Sequence, residues 1–270
     1  MPEWILGDVI VNGVKIHYHR TGGDNPPVVL AHGLTDSGLC WARLAQALED
    51  EYDLVMYDAR GHGLSGVPET GYAPEEHVAD MAGLVTALGL ERPALIGHSM
   101  GASNVALTIA THPSLARCAI LEDPVWCTYD LGAQPGRMDE WHADLIAKKS
   151  RTREDLMAEE RVQQPTWAEI EFGVRADAKL RVNPDVLTWI SPQNPPIPWR
   201  DVVRKFACPV LLITADPKLG AVVTSEVAWE AASLCASLEV VYIPSVGHHI
   251  RYGQFELYVE AVRAFLTCNL

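Results

Sequence analysis

The alternation of apolar and polar positions along the chain predicts buried strands separated by amphipathic helices. Short apolar runs, typical of strands covered on both faces, occur at residues 28–31, 54–57, 94–96, 118–121, 210–214 and 238–243. Segments with apolar residues at helical spacing lie between or after these runs, at 41–48, 74–88, 102–109, 228–234 and 254–266. Strands that alternate with helices in this way favour a parallel sheet with helices on both faces.

Two stretches depart from this alternation. Strand-like runs at 9–11 and 14–19 flank Asn12-Gly13, a dipeptide that strongly favours a tight antiparallel hairpin. Residues 124–198 are charged, have helical propensity over 141–174 and end in a proline-rich stretch. We interpret 124–198 as a helical cap inserted into a core domain formed by 1–123 and 199–270. The predicted fold class is α/β, with a mostly parallel central sheet of about eight strands, helices on both faces and an inserted helical cap.

The most informative motif joins the strand at 94–96 to the helix at 102–109. It reads Gly97-His98-Ser99-Met100-Gly101, a Gly-x-Ser-x-Gly pattern in a turn too short for ordinary side chains. The two glycines lack the Cβ atoms that would collide in such a turn. A serine held there has a strained backbone and an exposed hydroxyl, which is the arrangement of a nucleophile elbow. Ser99 is therefore predicted to be a nucleophile.

Composition narrows the classes of partner and cofactor. The 270 residues are 48% apolar and carry a formal net charge of −14, which argues against a nucleic-acid or anionic-membrane partner. No apolar run approaches a membrane span, and the first residues lack the features of a secretory signal, so we expect a cytoplasmic protein. The cysteines show no metal-type spacing, and neither a metal nor another cofactor is predicted. The oligomeric state, monomer or homodimer, is left open.

Four motifs together resemble the α/β-hydrolase superfamily. They are His32-Gly33, the run Asp58-x-Arg60-Gly61-His62-Gly63-x-Ser65, the elbow at 97–101, and Gly247-His248. Their order and spacing match that family, and the resemblance covers nearly the whole chain apart from 124–198. It implies a hydrolase core with a catalytic triad. The cluster at 58–65 is expected to hold a loop to the sheet rather than to bind metal or phosphate.

The same resemblance implies roles for individual residues. Ser99 is the expected nucleophile and His248 the expected base, with the adjacent His249 as its competitor. The backbone N–H groups of Leu34 and Met100 are the expected oxyanion-hole donors. Two further histidines, His62 and His98, are expected to hold loops together.

The acid that orients the base has two candidates. Most members of the family place it after the strand that follows the cap, but here Lys218 occupies that place and Asp216 lies two residues earlier. Some members, among them pancreatic-type lipases, take the acid from the end of the preceding strand, which here ends in Asp123-Pro124. Both give the chain order nucleophile, acid, base. We prefer Asp123, keep Asp216 as the alternative and Glu122 as a fallback, and expect the losing aspartate to cap a loop.

The substrate pocket is expected beneath the cap. Its tentative lining residues are two histidines and four tryptophans: His32, His98, Trp126, Trp141, Trp167 and Trp189. The sequence thus predicts a capped serine hydrolase that cleaves a carboxylic ester or lactone of a medium-sized, mostly apolar small molecule through an acyl-enzyme. Carbon–carbon bond hydrolases and cofactor-free perhydrolases share this triad and are alternatives. A ligand-sensing receptor on a hydrolase scaffold is the alternative from another class.

Overall fold

The structure, a computed structural model, describes residues 4–126, 136–190 and 196–270. Its strands are β1 (Ile5–Val11), β2 (Val14–Arg20), β3 (Pro27–Ala31), β4 (Asp53–Tyr57), β5 (Ala94–His98), β6 (Ala119–Glu122), β7 (Val210–Thr214) and β8 (Leu238–Tyr242). In the described part of the chain these strands form one eight-stranded sheet in the order β1-β2-β4-β3-β5-β6-β7-β8.

The described residues form ten α-helices, and one of them lies at each of the five positions that helical spacing predicts. The ten helices are α1 (Ala42–Leu48), α2 (Pro74–Ala87), α3 (Met100–Thr111), α4 (Arg137–Lys149), α5 (Arg153–Gln163), α6 (Glu169–Arg181), α7 (Trp199–Val203), α8 (Ser225–Leu234), α9 (Ile250–Gly253) and α10 (Phe255–Asn269). Thr224 caps α8 by accepting a hydrogen bond from Val227 N. None of the helices among the described residues is long and apolar enough to cross a membrane.

β1 and β2 form the antiparallel hairpin that Asn12-Gly13 predicts. Val11 pairs with Val14, and both turn residues have a left-handed backbone, with φ of 48° at Asn12 and 74° at Gly13. β2 also runs antiparallel to β4, and the later neighbours in the sheet are parallel. The carboxyl ends of the parallel strands therefore lie along one edge, where open α/β sheets bind their ligands.

The sheet buries apolar side chains on both of its faces. Along β3, Val29 packs into one core, whereas Val28 and Leu30 pack into the other. The first core is covered by α2, α3, α7 and α8, and the second by α1 and α10. Because side chains alternate between the faces of a strand, a strand that is apolar throughout needs helices on both sides. The predicted α/β fold, a mostly parallel sheet between helical layers, is confirmed.

The helical propensity over 141–174 corresponds to α4, α5 and α6. The sequence pattern did not separate these helices, although Pro165 lies in the turn between α5 and α6. Cys127 and residues 191–195, most of the proline-rich stretch, lie outside the described residues. The division into a core domain and an inserted cap at 124–198 stays a prediction.

Glu171, on α6, gives the stability of the protein a dependence on pH. Burial raises its pKa to about 7, against the opposing attraction of the Arg251 and Arg43 cations. Between its ordinary pKa of 4.5 and about 7, the native chain holds a proton that the unfolded chain has lost, so stability falls as pH rises. Glu171→Gln should therefore stabilise the protein by up to about 3 kcal/mol at about pH 8 and by little at about pH 5. Urea unfolding at both pH values measures this, and an equal gain at both would contradict it.

Candidate active site

The Ser99 elbow joins the end of β5 to the start of α3. Its backbone has a φ of 54° and a ψ of −116°, a conformation unusual for a residue with a side chain. A Cβ atom on Gly97 would lie 2.5 Å from Ala102 N, and one on Gly101 would lie 2.2 Å from Ala31 O. The turn therefore requires glycine at both positions, as the motif predicts.

Asp123 and His248 are in direct contact. His248 Nδ1 lies 2.5 Å from Asp123 Oδ2. The same carboxylate accepts hydrogen bonds from Val222 N at 2.8 Å and Val223 N at 2.9 Å. Asp123 is fully buried and, like Ser99, has a left-handed backbone, with a φ of 44°. With Nδ1–H donated to the carboxylate, Nε2 of His248 carries a lone pair and can accept a proton.

The other two candidate acids have different partners. Asp216 Oδ1 accepts a hydrogen bond from Lys218 N at 2.8 Å and so caps the short 3₁₀ helix Pro217–Leu219. Glu122 binds Arg251, whose backbone N and Nη1 lie 3.0 and 2.9 Å from its two carboxylate oxygens. Of these three carboxylates, the one that contacts the His248 ring is that of Asp123.

Leu34 lies in the loop at residues 32–37, hereafter the β3 loop, which two histidines hold in place. His62 Nε2 contacts Leu34 O at 2.7 Å. His32 Nδ1 contacts Gly33 O at 2.8 Å, while its Nε2 accepts a hydrogen bond from Ala59 N at 2.9 Å. Burial, followed by repulsion from His62, lowers the pKa of His32 to about 4, so one ring nitrogen stays free to accept. Both histidines thus join the β3 loop to the loop at 58–65.

Three imidazoles lie together at the loop 243–249, hereafter the base loop. The ring centroids of His98 and His248 are 4.7 Å apart, and each lies 5.3 Å from that of His249. His98 Nε2 lies 3.0 Å from the carbonyl oxygen of His248, so the strand residue before Ser99 holds the base loop. Burial, reinforced by the Arg251 cation, lowers the pKa of His98 well below its ordinary value. Burial and then Arg175 lower the pKa of His249 in the same way.

His249→Asn should leave kcat nearly unchanged. Its ring packs against Trp167 and Tyr252 and has no recorded contact with Asp123 among the described residues. Loss of a general base costs about 10²–10⁴-fold, and we expect a far smaller change here. Steady-state kinetics of His249→Asn beside His248→Asn measures the difference. A comparable loss in both variants would contradict the assignment of the base to His248.

Ser99 and His248 line one cavity of about 780 Å³, a size that suits a small molecule. Four of the predicted pocket residues line it as well: His98, Trp141, Trp167 and Trp189. The structure places the other two elsewhere. Trp126 is fully buried and stacks on Trp199 with ring centroids 5.5 Å apart, and the His32 ring lies between two loops. Core packing and loop hydrogen bonds engage the side chains at these two positions, and their place in the pocket stays a prediction.

Sequence reasoning missed the charged wall of this cavity. Its members are four cations and three carboxylates: Arg137, Lys148, Arg175, Lys179, Asp36, Asp144 and Glu160. Arg175 Nη1 lies 2.9 Å from Asp36 Oδ1, and its Nε lies 2.7 Å from Glu160 Oε1. Lys179 Nζ contacts the same Glu160 oxygen at 2.6 Å. The spacing of Arg175 and Lys179, one helical turn apart, signals a shared face. Nothing in the sequence indicates that Asp36, 139 positions earlier, contacts Arg175.

The described residues show no site suited to a metal ion. Among those residues, no group of three or more His, Cys, Asp or Glu side chains has an arrangement that could hold a metal ion.

Known proteins share this architecture along nearly the whole chain. A family model described as Alpha/beta hydrolase family matches residues 28–261. The N-formylmaleamate deformylase of Pseudomonas putida is 27% identical over 270 aligned residues, which cover 96% of this chain and 96% of that protein. The solved structure of E-2-(acetamidomethylene)succinate hydrolase has a TM-score of 0.82 at 21% identity and covers 98% of this chain and 100% of its own. The enol-lactonase from Burkholderia xenovorans LB400 has a TM-score of 0.76 at 23% identity, with coverage of 97% and 100%. Because the family match spans both the elbow and the base loop, the chain belongs to the alpha/beta hydrolase family.

Proposed function

We propose that this chain is a serine hydrolase that cleaves a carboxylic ester or lactone of a small molecule through an acyl-enzyme. The observation that carries the proposal is the 2.5 Å contact between His248 Nδ1 and Asp123 Oδ2, beside a cavity that Ser99 also lines. A hydroxyl nucleophile needs a base, and that base needs a group that fixes its tautomer. In this proposal Ser99, His248 and Asp123 take these roles, and Asp216 only caps its loop.

The reaction would proceed in two halves. Ser99 Oγ attacks the carbonyl carbon while its proton passes to His248 Nε2, and the carbonyl oxygen becomes an oxyanion. The proposed donors to it are Leu34 N–H and the N–H of Met100, the first residue of α3, since the first N–H groups of a helix lack helical partners. The bond to the leaving alcohol breaks as His248 returns the proton to that oxygen. Water then attacks the acyl carbon, gives a proton to His248, and Ser99 departs with that proton as the acid is released.

The cavity wall supports a substrate with an apolar part and a negative charge. Leu34, Val125, Leu145 and Ile190 supply apolar surface. On the charged wall four cations face three carboxylates, in a chain whose acidic residues outnumber its basic ones by 35 to 21. The net charge of this wall is therefore positive although that of the whole chain is negative, and this favours an anionic ligand. Two of the relatives are named for carboxylates, N-formylmaleamate and (acetamidomethylene)succinate, which supports an anionic substrate and adds acyl–nitrogen bonds to those worth testing.

A matched substrate panel with acyl trapping tests the proposal. The panel holds p-nitrophenyl acetate, methyl butyrate, monomethyl succinate, a δ-lactone and an N-formyl amide. We expect a burst of about one p-nitrophenol per active site, an acyl adduct on the Ser99 peptide, and a higher kcat/KM for monomethyl succinate than for methyl butyrate. Turnover without an adduct would remove the acyl-enzyme from the scheme. A single turnover with a persistent adduct would favour the sensor, and cleavage of carbon–carbon substrates alone would favour that alternative.

A further inference from the structure

Arg251 lies where three loops of the site come together. It follows His248 by three residues and is 2% exposed. Its Nη1 lies 2.9 Å from Glu122 Oε2, and its backbone N donates to Glu122 Oε1 at 3.0 Å. Its Nη2 contacts Cys40 Sγ at 3.2 Å and lies 3.8 Å from Asp36 Oδ2 in the β3 loop. One guanidinium thus joins the segment after the base loop to the end of β6 and to the β3 loop.

Glu122 contacts the chain segment of each proposed catalytic residue. It precedes Asp123 on β6 and is in register with His98, the residue before Ser99 on β5. Its carbonyl oxygen accepts the N–H of Ser99 at 2.9 Å. Its side chain binds both the main chain and the guanidinium of Arg251, while Asp123 binds the ring of His248. Glu122, the last residue of β6, and Asp123, which follows it, therefore hold the same stretch of chain at two points.

Neither member of this ion pair faces the substrate. Glu122 is fully buried, and neither it nor Arg251 is among the residues that line the cavity. Burial raises the pKa of Glu122, although Arg251 opposes this, so the charged form is retained only at a cost. A buried ion pair is often no more stable than well-packed apolar side chains of similar volume. Stability alone therefore explains the pair poorly, and fixed geometry explains it better.

We propose that Glu122, acting through Arg251, is a positioning residue that holds the His248 ring in line with Asp123 and Ser99. The inference rests on the proposed function, in which His248 is the base. A displacement of a catalytic group by about 1 Å costs about 10²-fold in rate, so a second attachment of the base loop has a measurable effect. Because neither Glu122 nor Arg251 lines the cavity, we expect the effect of its loss to fall mainly on kcat rather than on KM.

The competing explanation is that Glu122 only neutralises a buried guanidinium. Two variants separate the explanations. Glu122→Gln keeps an oxygen that can accept from Arg251 N, but leaves the guanidinium without its carboxylate. The double variant Glu122→Leu/Arg251→Met removes both charges and fills the space with apolar side chains. It also removes both contacts that the Glu122 side chain makes with Arg251, the one with its main-chain N–H and the one with its guanidinium. Unpaired buried charge is strongly destabilising, whereas apolar replacement of both partners is close to neutral.

If Glu122 is a positioning residue, the variant with the lower Tm should be the one with the higher kcat. Glu122→Gln should have the lower Tm and keep kcat within about tenfold of wild type, because the main-chain attachment survives. The double variant should regain most of the Tm yet lose about 10²-fold in kcat with KM nearly unchanged. In the absence of substrate, the low-field proton resonance of His248 Nδ1–H, hydrogen-bonded to Asp123, should remain in Glu122→Gln and weaken in the double variant.

An exposed ion pair provides the matched control. Arg263 Nε lies 2.9 Å from Glu51 Oε1, with both side chains about two-fifths exposed, and Glu51→Gln/Arg263→Met should leave kcat and the resonance unchanged. Recovery of kcat and of the resonance together with Tm in the Glu122→Leu/Arg251→Met variant would overturn the proposal in favour of simple neutralisation. The two proposals can fail separately. If the proposed function is wrong, the wild type shows no Ser99-dependent turnover, whereas the resonance of His248 is measured without substrate and still tests the positioning.

Discussion

Ser99→Ala should lower kcat for a p-nitrophenyl ester by about 10⁶-fold. Without the Oγ atom no acyl-enzyme forms, and only the oxyanion donors and the cavity remain to accelerate attack by water. Affinity for a non-hydrolysable substrate analogue should change little, because the cavity keeps its walls. Stopped-flow kinetics measures the loss of kcat, and calorimetric titration with the analogue measures the affinity. Mass spectrometry after fluorophosphonate treatment identifies the labelled serine.

Two further variants test whether misfolding could explain the loss of activity in Ser99→Ala. Ser99→Gly should be equally inactive yet more stable, because glycine adopts a φ of 54° without strain. Ser225→Ala, at the exposed first residue of α8, is the matched serine control and should keep full activity. Fluorophosphonate labelling of a serine other than Ser99, or normal turnover in Ser99→Ala, would place the nucleophile elsewhere.

Asp123→Asn should lower kcat by about 10⁴-fold. An amide cannot hold His248 in the tautomer with Nδ1–H and a free Nε2, nor stabilise the imidazolium that forms during attack. The carboxylate also accepts from two backbone N–H groups, those of Val222 and Val223, so the variant should lose some stability as well. Rates are therefore compared at a temperature at which thermal unfolding shows both proteins to be folded.

Asp216→Asn is the matched control for the acid. Asparagine keeps an oxygen that can accept from Lys218 N, so the cap of the short helix survives and kcat should stay within a few-fold of wild type. The assignment fails if the losses are reversed, with Asp216→Asn inactive and Asp123→Asn active. Comparable small losses in both would direct attention to Glu122.

Much of the architecture was predictable because it depends on short-range pattern. Apolar runs flanked by turn residues locate the strands, and helical spacing locates α2, α3 and α10 to within a few residues. The elbow was predictable from a short motif. A Cβ atom on Gly97 would collide within the turn itself, whereas one on Gly101 would collide with Ala31 O at the end of β3. Asp123 was harder to choose, because two strand ends each offered an aspartate and both lie beside the base loop. Asp216 N donates to Val246 O at 2.9 Å, and only the side-chain contact with His248 distinguishes Asp123.

The interior charges were not predictable from the chain. A charged residue on an amphipathic helix is usually solvated, and neither α5 nor α6 distinguishes its buried charges from its exposed ones. Glu160 and Arg175 are buried because they neutralise each other between α5 and α6, and because Asp36, 139 positions before Arg175, also pairs with it. Trp126 shows the same limit for an apolar residue: it stacks on Trp199, 73 positions later, and spacing along the sequence does not reveal this contact.

The ion pair between Arg175 and Asp36 constrains how this scaffold can be recombined. Asp36 lies two residues from Leu34. A chimera that imports foreign α4–α6 helices without an equivalent of Arg175 leaves this buried carboxylate with only the more distant contact to Arg251 at 3.8 Å among its ion pairs in the described residues, next to a backbone amide assigned to catalysis. Positions 36 and 175 must therefore be transplanted together. In directed evolution, new substrate preference is expected to arise more readily from the apolar wall than from this charged one.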